Sequence, residues 1–359
     1  MDAPKPGIYE GVPFEEYERW DAINASAMKG ICAGECARHF HADRRRPASA
    51  DDTVAKAFGR VGHVALLEPA AIDERFAVRP PSYPVLEKVG HWKGSVKPDP
   101  EGDGSSFIIA EGLGEKRTTR KLASTYHEDA DIYTAPLADL RDKVKLIERP
   151  WNANATFCRT WTAAMQKRGL TPISAGAREQ ALAVADSARR HPHVAELLDG
   201  AALEVSFVWT DPGSGLLCKG RADILNRQRG VGDPKTTRHR LPYRFARQGY
   251  YLGYHVQVAM YTDGLSILLD GWDPKRKPIP FWLIAIEKEP PYLTKVFDGH
   301  AGYLEADETS LPTAYLELGR QAYRGQLQHI AWCINNDEWP DYGDEVQEMV
   351  IPRGAGLEM

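Results

Sequence analysis

Several features that often reveal where a protein works are missing from this sequence. No run of about 18 apolar residues occurs in the 359-residue chain, so no membrane-spanning helix is expected. The N-terminal stretch MDAPKPGIYEGVPFEEYERW is acidic and lacks the apolar segment of a secretory signal. We therefore predict a cytoplasmic location and no membrane partner.

Cysteine is also scarce. The chain has five cysteines, which are Cys32, Cys36, Cys158, Cys218 and Cys333. An odd, scattered set in a chain of this length does not predict a disulfide framework. Cys32 and Cys36 are four residues apart and could share a helix face, but no second cysteine pair or histidine pair completes a zinc site. A structural zinc is therefore not expected.

The chain has no excess of positive charge. Its formal net charge is −5, so the overall electrostatics give no attraction to nucleic acid. Contacts with a polyanion would have to come from local basic clusters. Two exist, residues 44–46 and a group made of Arg238, His239, Arg240, Arg244 and Arg247. Either cluster taken alone is typical of an ordinary solvated surface.

The order of the predicted elements indicates an α/β fold. Helices are predicted over 53–68, 155–168 and 175–198, the last with an interruption near Pro192. Strands are predicted at 203–209, 216–225 and 231–237, followed by a helix over 243–266. Two further strands, at 280–287 and 292–297, precede a long helix over 307–333. We expect a central mixed sheet flanked by helices, with an N-terminal helical layer.

The chain is interpreted as a single domain over residues 1–359 with four parts. Residues 1–78 form an N-terminal helical part. Residues 79–150 include a stretch rich in proline, glycine and charge, which predicts a loop-rich insertion. Residues 151–340 form the core, and 341–359 form a polar tail.

The hairpin over 216–237 contains the candidate catalytic residues. Asp233 and Lys235 are two residues apart on a strand, so they share a face of the sheet. If the turn centres near Gln228, Asp223 lies almost directly opposite Asp233, with Cβ atoms roughly 4.5–5.5 Å apart. Two carboxylates that close repel each other unless a cation lies between them. Alternatively, the hairpin lies at the surface and its aspartate and lysine form a simple salt bridge.

This combination of groups suits the hydrolysis of a phosphodiester. Such a reaction needs a metal that polarises the phosphate and lowers the pKa of an attacking water. It also needs a cation that steadies the charge of the transition state. Asp223 and Asp233 would be metal ligands, the carbonyl of Pro234 would point at the metal, and Lys235 would position or activate the water. Mg²⁺ prefers oxygen ligands of this kind.

The same residues carry a resemblance to a known family. In chain order the segments are GIYEGVPFEEYERWDAINASAMK, FGRVGHVALLEP, LEVSFVW, CKGRADIL, GDPKTT and GYHVQVAMYTDG. Together they resemble the PD-(D/E)XK nuclease superfamily, more narrowly its RecB-type branch and the RecE-like exonucleases of phages and prophages. The ordered set covers most of the chain, whereas any single segment would be weak.

The resemblance implies roles for further residues. His63 would be a third metal ligand from the helical layer, although a lone histidine on a helix is more often a packed core residue. Gln257 and Tyr261, four apart on a helix, would lie beside the active site and help to place the DNA or the lysine. Glu204 could lie near the metal or act as a structural acid. Pro234 occupies the middle of the D-x-K motif, where an apolar residue is usual.

Residues directly after the D-x-K motif would lie near the DNA. Thr236 and Thr237 are candidates for phosphate contacts. The basic residues that follow would lie near the strand to be cut if the fold is correct, and the predicted DNA contacts among them are Arg238, Arg240 and Arg244.

A RecE-like resemblance further implies a 5′→3′ exonuclease on the ends of linear double-stranded DNA, leaving 3′ single-stranded tails for recombination. It implies a single-strand annealing protein as partner and a homo-oligomer. Mg²⁺ would be the cofactor, and a histidine ligand would make Mn²⁺ an acceptable substitute. Some RecB-type nucleases hold an iron–sulfur cluster with one early and three late cysteines. Cys333 is the only late cysteine here, so no cluster is expected.

Three other functions remain open from the sequence. The same fold could be an endonuclease or a nuclease of single-stranded DNA. It could be a catalytically inactive DNA-binding or assembly module, although every expected catalytic position is filled. It could also be a small-molecule metallohydrolase that uses the same acids.

Overall fold

The chain forms two compact units, one of residues 1–73 with 176–359 and the other of residues 74–175. The structure is a computed structural model, and it describes residues 2–45, 54–89, 95–98, 106–111, 131–136, 139, 142–300 and 315–346. The first part of the predicted helix over 307–333 and residues 347–359 of the predicted tail lie outside the described residues.

The described strands are numbered in chain order. They are β1 (Gly7–Tyr9), β2 (Phe76–Val78), β3 (Ser82–Lys88), β4 (Ser95–Pro98), β5 (Ser106–Glu111), β6 (Asp131–Pro136), β7 (Val144–Pro150), β8 (Thr171–Ile173), β9 (Ala202–Thr210), β10 (Leu217–Asn226), β11 (Gly230–Thr237), β12 (Phe281–Glu287) and β13 (Thr294–Asp298).

The described helices are numbered in the same way. They are α1 (Phe14–Arg19), α2 (Ala25–Cys32), α3 (Ala37–Arg45), α4 (Val54–Leu67), α5 (Ile72–Arg75), α6 (Thr156–Lys167), α7 (Ala175–Arg190), α8 (Pro192–Leu198), α9 (Pro242–Tyr251), α10 (Tyr254–Leu268) and α11 (Tyr315–Asn336). A short 3₁₀ turn, Pro69–Ala71, lies between α4 and α5. Among the described residues, no helix combines the length and the apolar character needed to cross a bilayer.

A six-stranded sheet forms the centre of the larger unit. Its strand order is β1-β9-β10-β11-β12-β13. All neighbours are antiparallel except β11 and β12, which run parallel and are connected through α9 and α10. A parallel pair needs such a crossover, whereas antiparallel pairs can be joined by short turns. The predicted central mixed sheet flanked by helices is confirmed.

The packing explains why α10 lies at the core. Every residue from Val258 to Ser266 is buried, as expected for a helix surrounded by other elements. α11 packs closely against it because Gly319 has no side chain, and a Cβ there would lie 2.0 Å from the carbonyl oxygen of His255. Asp263 is buried on α10 and accepts hydrogen bonds from Arg320, Tyr323 and Arg324, which fixes the register of the two helices.

Two predicted segments differ from the structure. The helix predicted over 243–266 is divided into α9 and α10 because Gly253 adopts a left-handed conformation, with φ of 69°. The loop-rich segment predicted over 79–150 contains β3 to β7 within the smaller unit. There β3 pairs with β7, and β4, β5 and β6 form a separate sheet. The prolines and glycines that predicted loops stand between or inside short strands, as Pro84 does in β3.

Candidate active site

Three carboxylates lie level with one another on three neighbouring strands. Ile224 on β10 pairs with Gly232 on β11, so the next step along the hairpin brings Asp223 level with Asp233. On the other side of β10, the pairs Ala222–Val205 and Ile224–Leu203 flank the level of Asp223 and Glu204. The predicted hairpin geometry, with its turn at Asn226–Gly230, is therefore confirmed.

The backbone at Glu204 departs from the regular conformation of a strand. Its φ is 54°, a left-handed conformation that is uncommon for residues other than glycine. Such conformations are retained where the surrounding contacts hold them in place. Here Nε of Arg221 contacts Oε2 of Glu204 at 2.7 Å. The sequence could not predict this break, because strand alternation alone places Glu204 with Ser206 and Val208.

His63 connects two of the carboxylates from the helical layer. Its Nδ1 lies 3.1 Å from Oε1 of Glu204, and its Nε2 lies 3.2 Å from Oδ2 of Asp223. The three side chains are all partly exposed, with between 19% and 27% of each accessible. The structure thus brings His63 of the helical layer together with Glu204 of β9 and with Asp223, the first acid of the hairpin.

The electrostatics of these three residues are strongly coupled. Burial favours the neutral imidazole, but the charges and hydrogen bonds of Asp223 and Glu204 outweigh it and raise the pKa of His63 to about 10. Burial acts to raise the pKa of Glu204, but His63 and Arg221 hold this pKa at about 2. At neutral pH an imidazolium therefore balances the carboxylates. A divalent cation held by the same atoms would take over that role and displace a proton.

Asp233 and Lys235 form a second, deeper group. Nζ of Lys235 lies 2.6 Å from Oδ2 of Asp233, whose side chain is 4% exposed. Burial raises the pKa of Asp233, and Lys235 opposes this rise. Burial favours a neutral Lys235, but the carboxylates of Asp233 and Asp223 outweigh it and raise the pKa of its ammonium. The lysine is therefore held in its charged form beside the acids.

Gln257, which the resemblance placed beside the active site, belongs to this group, and its contact is with the aspartate. Its Nε2 donates a hydrogen bond of 2.8 Å to Oδ1 of Asp233. Tyr261 lies one turn further along α10, is almost fully buried and accepts a hydrogen bond from the backbone N–H of Arg221 at 3.2 Å. Its hydroxyl therefore supports the strand that carries Asp223, and it makes no contact with Lys235 among the described residues.

Three residues near the site were not predicted to have a role. Arg221 holds Glu204 and also donates to Ser206 Oγ and the carbonyl of Val12. The ammonium of Lys235 lies 5.2 Å from the ring centroid of Tyr254. Lys29 of α2 lies 5.7 Å from the same centroid, and burial together with the charge of Lys235 lowers its pKa.

Only one of these three has a signal in the sequence. Tyr254 precedes Gln257 by three residues and Tyr261 by seven, which places all three on one face of α10. Arg221 and Glu204 pair across strands, which requires the strand register. Lys29 lies far from the hairpin in sequence, and only the fold brings it close.

The residues predicted to contact DNA have different surroundings. Thr237 is buried, and its hydroxyl accepts a hydrogen bond from the backbone N–H of His239. Its side chain therefore shapes the turn after β11. Thr236 is partly buried, whereas Arg238, Arg240 and Arg244 are exposed. Pro234 lies between Asp233 and Lys235 on β11. DNA contacts of these residues, and a carbonyl ligand at Pro234, stay predictions.

The donor set fits a divalent metal. His63, Glu204 and Asp223 each offer one ligand atom, and these atoms lie within 4.8 Å of one another. Opposite ligands around Mg²⁺ are about 4.2 Å apart, so a small adjustment would suffice. Oδ2 of Asp233 is buried and has no hydrogen-bond partner of good geometry. The ammonium of Lys235 faces this oxygen at 2.6 Å, and a hard cation bound there would take the place of the ammonium.

The chain matches the family described as "PDDEXK-like domain of unknown function (DUF3799)" over residues 143–350, which include Glu204, Asp223, Asp233 and Lys235 but not His63. No curated protein matches the chain. Among solved structures it is similar to a crystal structure named "putative exonuclease" from Eubacterium rectale. The TM-score is 0.48 and the sequence identity 11%, over 96% of this chain and 97% of that one.

The family match extends over more than half of the chain and contains the whole D-x-K hairpin. The narrower likeness to RecB-type and RecE-like enzymes stays a prediction. The superfamily predicted from the sequence is confirmed, and the chain belongs to the PD-(D/E)XK nuclease family.

Proposed function

We propose that the protein is a divalent-metal-dependent exodeoxyribonuclease that hydrolyses the phosphodiester bonds of linear double-stranded DNA. One observation carries the proposal. The ligand atoms of His63, Glu204 and Asp223 lie within 4.8 Å of one another. The hairpin that carries Asp223 also holds a charged lysine, Lys235, whose Nζ lies 2.6 Å from the buried Asp233. Metal ligands next to a cation are what the hydrolysis of a phosphodiester requires.

Each group has a defined part in this reaction. His63, Glu204, Asp223 and Asp233 would hold the metal. When bound, a divalent cation would polarise the scissile phosphate and lower the pKa of an attacking water. Gln257 donates to Oδ1 of Asp233, and the ammonium of Lys235 lies 2.6 Å from its Oδ2, so Lys235 would have to move away from Oδ2 for that oxygen to bind the metal. Lys235 would orient the water and balance the charge that develops on the phosphate oxygens.

The finer parts of the proposal rest on the resemblance of the sequence to RecE-like enzymes. They are a 5′→3′ direction, 3′ single-stranded tails for recombination, Mg²⁺ as the preferred ion with Mn²⁺ as a substitute, and a cytoplasmic setting. A single-strand annealing partner and a homo-oligomer belong to the same set.

The test is cleavage of linear duplex DNA with a 5′ phosphate, in Mg²⁺ and in EDTA, by the wild-type protein and by Lys235→Ala. Closed circular DNA is the control substrate, and Lys275→Ala, which changes an exposed lysine, is the control variant. We expect Mg²⁺-dependent loss of the linear duplex, intact circles, an inactive Lys235→Ala and an active Lys275→Ala.

Other results would assign the rival functions. Cleavage of circles would make the protein an endonuclease, and cleavage of single strands alone would make it a single-strand nuclease. Binding of DNA without cleavage in any metal would favour a binding module. Metal binding without DNA binding at low salt would favour a small-molecule metallohydrolase.

A further inference from the structure

The helix α9, which follows β11, exposes an unusual amount of aromatic surface. On α9, Tyr243 is 54% exposed, Tyr250 47% and Tyr251 71%. Large aromatic side chains are among those that proteins most often bury or place at interfaces. Three exposed tyrosines on one ten-residue helix are therefore typical of a binding surface.

These tyrosines lie on one side of the helix together with two arginines. Tyr243, Arg244, Arg247, Tyr250 and Tyr251 stand at positions i, i+1, i+4, i+7 and i+8, which places them within an arc of about 120°. The two buried residues of the helix, Phe245 and Gly249, lie on the opposite side. We call the exposed side the Tyr–Arg stripe, consisting of Tyr243, Arg244, Arg247, Tyr250 and Tyr251.

The charge of the stripe has a single sign. The sequence of α9, PYRFARQGYY, contains two arginines and no acidic residue. The guanidinium of Arg244 lies 6.0 Å from the ring centroid of Tyr243, and that of Arg247 lies 5.9 Å from the ring centroid of Tyr251. A phosphate linked to a planar group that stacks on either tyrosine would therefore have a guanidinium within reach.

Both ends of the stripe are connected to β11 or to a residue on it. α9 begins five residues after Thr237, the last residue of β11. At the other end, the ring of Tyr250 stacks on His255, with centroids 5.0 Å apart and an angle of 19° between the rings. The neighbour of His255 is Tyr254, over whose ring the ammonium of Lys235 lies. The Tyr250 end of the stripe is thus linked through His255 and Tyr254 to the ammonium of Lys235.

We propose that the Tyr–Arg stripe binds single-stranded DNA, with unpaired bases stacked on the tyrosines and phosphates held by the arginines. This inference rests on the proposed function and specifies the state of the DNA next to the active site. Proteins that bind single strands combine aromatic stacking platforms with a positive groove in this way. A duplex offers its base edges in the grooves and keeps its base faces inside the stack, so it cannot use the tyrosine rings.

The test separates stacking from simple charge attraction. The anisotropy of a fluorescein-labelled oligothymidine of about 20 nucleotides, long enough for one binding site, would be titrated with protein. A blunt duplex of equal length would be titrated in parallel. EDTA is present throughout, so that binding is measured without metal-dependent cleavage. The variant is Tyr243→Ala/Tyr251→Ala, and its ring-preserving counterpart is Tyr243→Phe/Tyr251→Phe.

Tyr342→Ala is the matched control, because Tyr342 is 57% exposed and lies outside the stripe. Circular dichroism would verify that each variant is folded. We expect the double alanine variant to lose about 10-fold or more in affinity for the single strand, in line with the loss of stacked bases. Its affinity for the duplex should change by less than about 3-fold, since phosphate contacts remain. The phenylalanine variant and Tyr342→Ala should bind like the wild type.

Two results would overturn the inference. One is an unchanged affinity of the double alanine variant for the single strand. The other is an equal loss on single strand and duplex, which would indicate general damage or pure charge attraction. Because binding is measured in EDTA, a protein that cuts no DNA in Mg²⁺ but shows the expected binding pattern would refute the proposed function alone.

Discussion

Gln257 donates a hydrogen bond of 2.8 Å to Oδ1 of Asp233, and this bond determines which oxygen of the aspartate is left for other partners. Oδ2 faces Lys235 at 2.6 Å and has no hydrogen bond of good geometry. The amide thus orients a buried carboxylate that is flanked by a lysine on its own strand. Groups that orient a ligand in this way tune a metal site without touching the metal.

Replacement of Gln257 should therefore weaken the site without unfolding the protein. We expect Gln257→Ala to lower DNA cleavage or the affinity for Mg²⁺ by about 10- to 100-fold, the usual cost of losing such a supporting residue. The measurement is the rate of duplex cleavage as a function of Mg²⁺ concentration. Gln321→Ala, on the exposed side of α11, is the control. Equal rates for wild type and Gln257→Ala would show that Asp233 needs no such support.

The ring of Tyr254 should matter more than its hydroxyl. The ammonium of Lys235 lies 5.2 Å from the ring centroid, a distance typical of a cation–π interaction. We expect Tyr254→Phe to retain cleavage within about 3-fold and Tyr254→Ala to lose about 10-fold, because a partly desolvated cation–π contact contributes about 1–2 kcal/mol. Rates under saturating Mg²⁺ would decide. A Tyr254→Phe variant as impaired as Tyr254→Ala would assign the role to the hydroxyl.

Arg221 should be important for stability. It contacts Glu204, Ser206 and the carbonyl of Val12, with only 13% of its side chain exposed. Arg221→Met leaves these acceptors without their donor, and we expect the free energy of unfolding to fall by about 2 kcal/mol. Arg227→Met is the control, since Arg227 is 61% exposed and lies 3.9 Å from Glu10. Urea unfolding of both variants gives the comparison, and an equal effect of the two substitutions would argue against the assignment.

Asp263 provides a second test of stability, at a position outside the candidate active site. It is buried and accepts from Arg320, Tyr323 and Arg324. Asp263→Asn removes the charge that compensates a buried arginine, and the expected loss is about 3 kcal/mol. Glu196→Gln, which breaks the exposed pair with Arg229, should cost less than about 1 kcal/mol. Thermal unfolding is the readout, and similar melting temperatures for the two variants would contradict this account.

Patterns within one segment could be predicted from the sequence. The turn of the hairpin follows from the Asn-Arg-Gln-Arg-Gly segment between two apolar strands, and it alone places Asp223 opposite Asp233. The shared face of Asp233 and Lys235 follows from strand alternation. That Gln257 and Tyr261 share a face follows from helical spacing, although of the two Gln257 alone donates a hydrogen bond to one of the acids.

Contacts between distant segments could not be predicted in the same way. The contacts of His63 with Glu204 and Asp223 depend on how α4 packs, and the resemblance alone suggested them. The left-handed backbone at Glu204 has no local signal, since no glycine or turn motif marks it. Gly253 was visible in the sequence, but only its φ of 69° shows that it divides two helices. The stripe on α9 became recognisable only when burial separated its two sides.

We propose that His63, Glu204, Asp223 and Asp233 hold a divalent metal and that Lys235 assists the reaction without binding the metal. Electron paramagnetic resonance of Mn²⁺ added to the wild type, Asp223→Asn and Lys235→Ala tests it most directly, with cleavage of linear duplex DNA measured on the same samples. We predict that the wild type binds Mn²⁺ and cuts, that Asp223→Asn loses more than about 10-fold in Mn²⁺ affinity together with cleavage, and that Lys235→Ala binds Mn²⁺ but does not cut. Undiminished Mn²⁺ binding by Asp223→Asn, or normal cleavage by Lys235→Ala, would contradict the account.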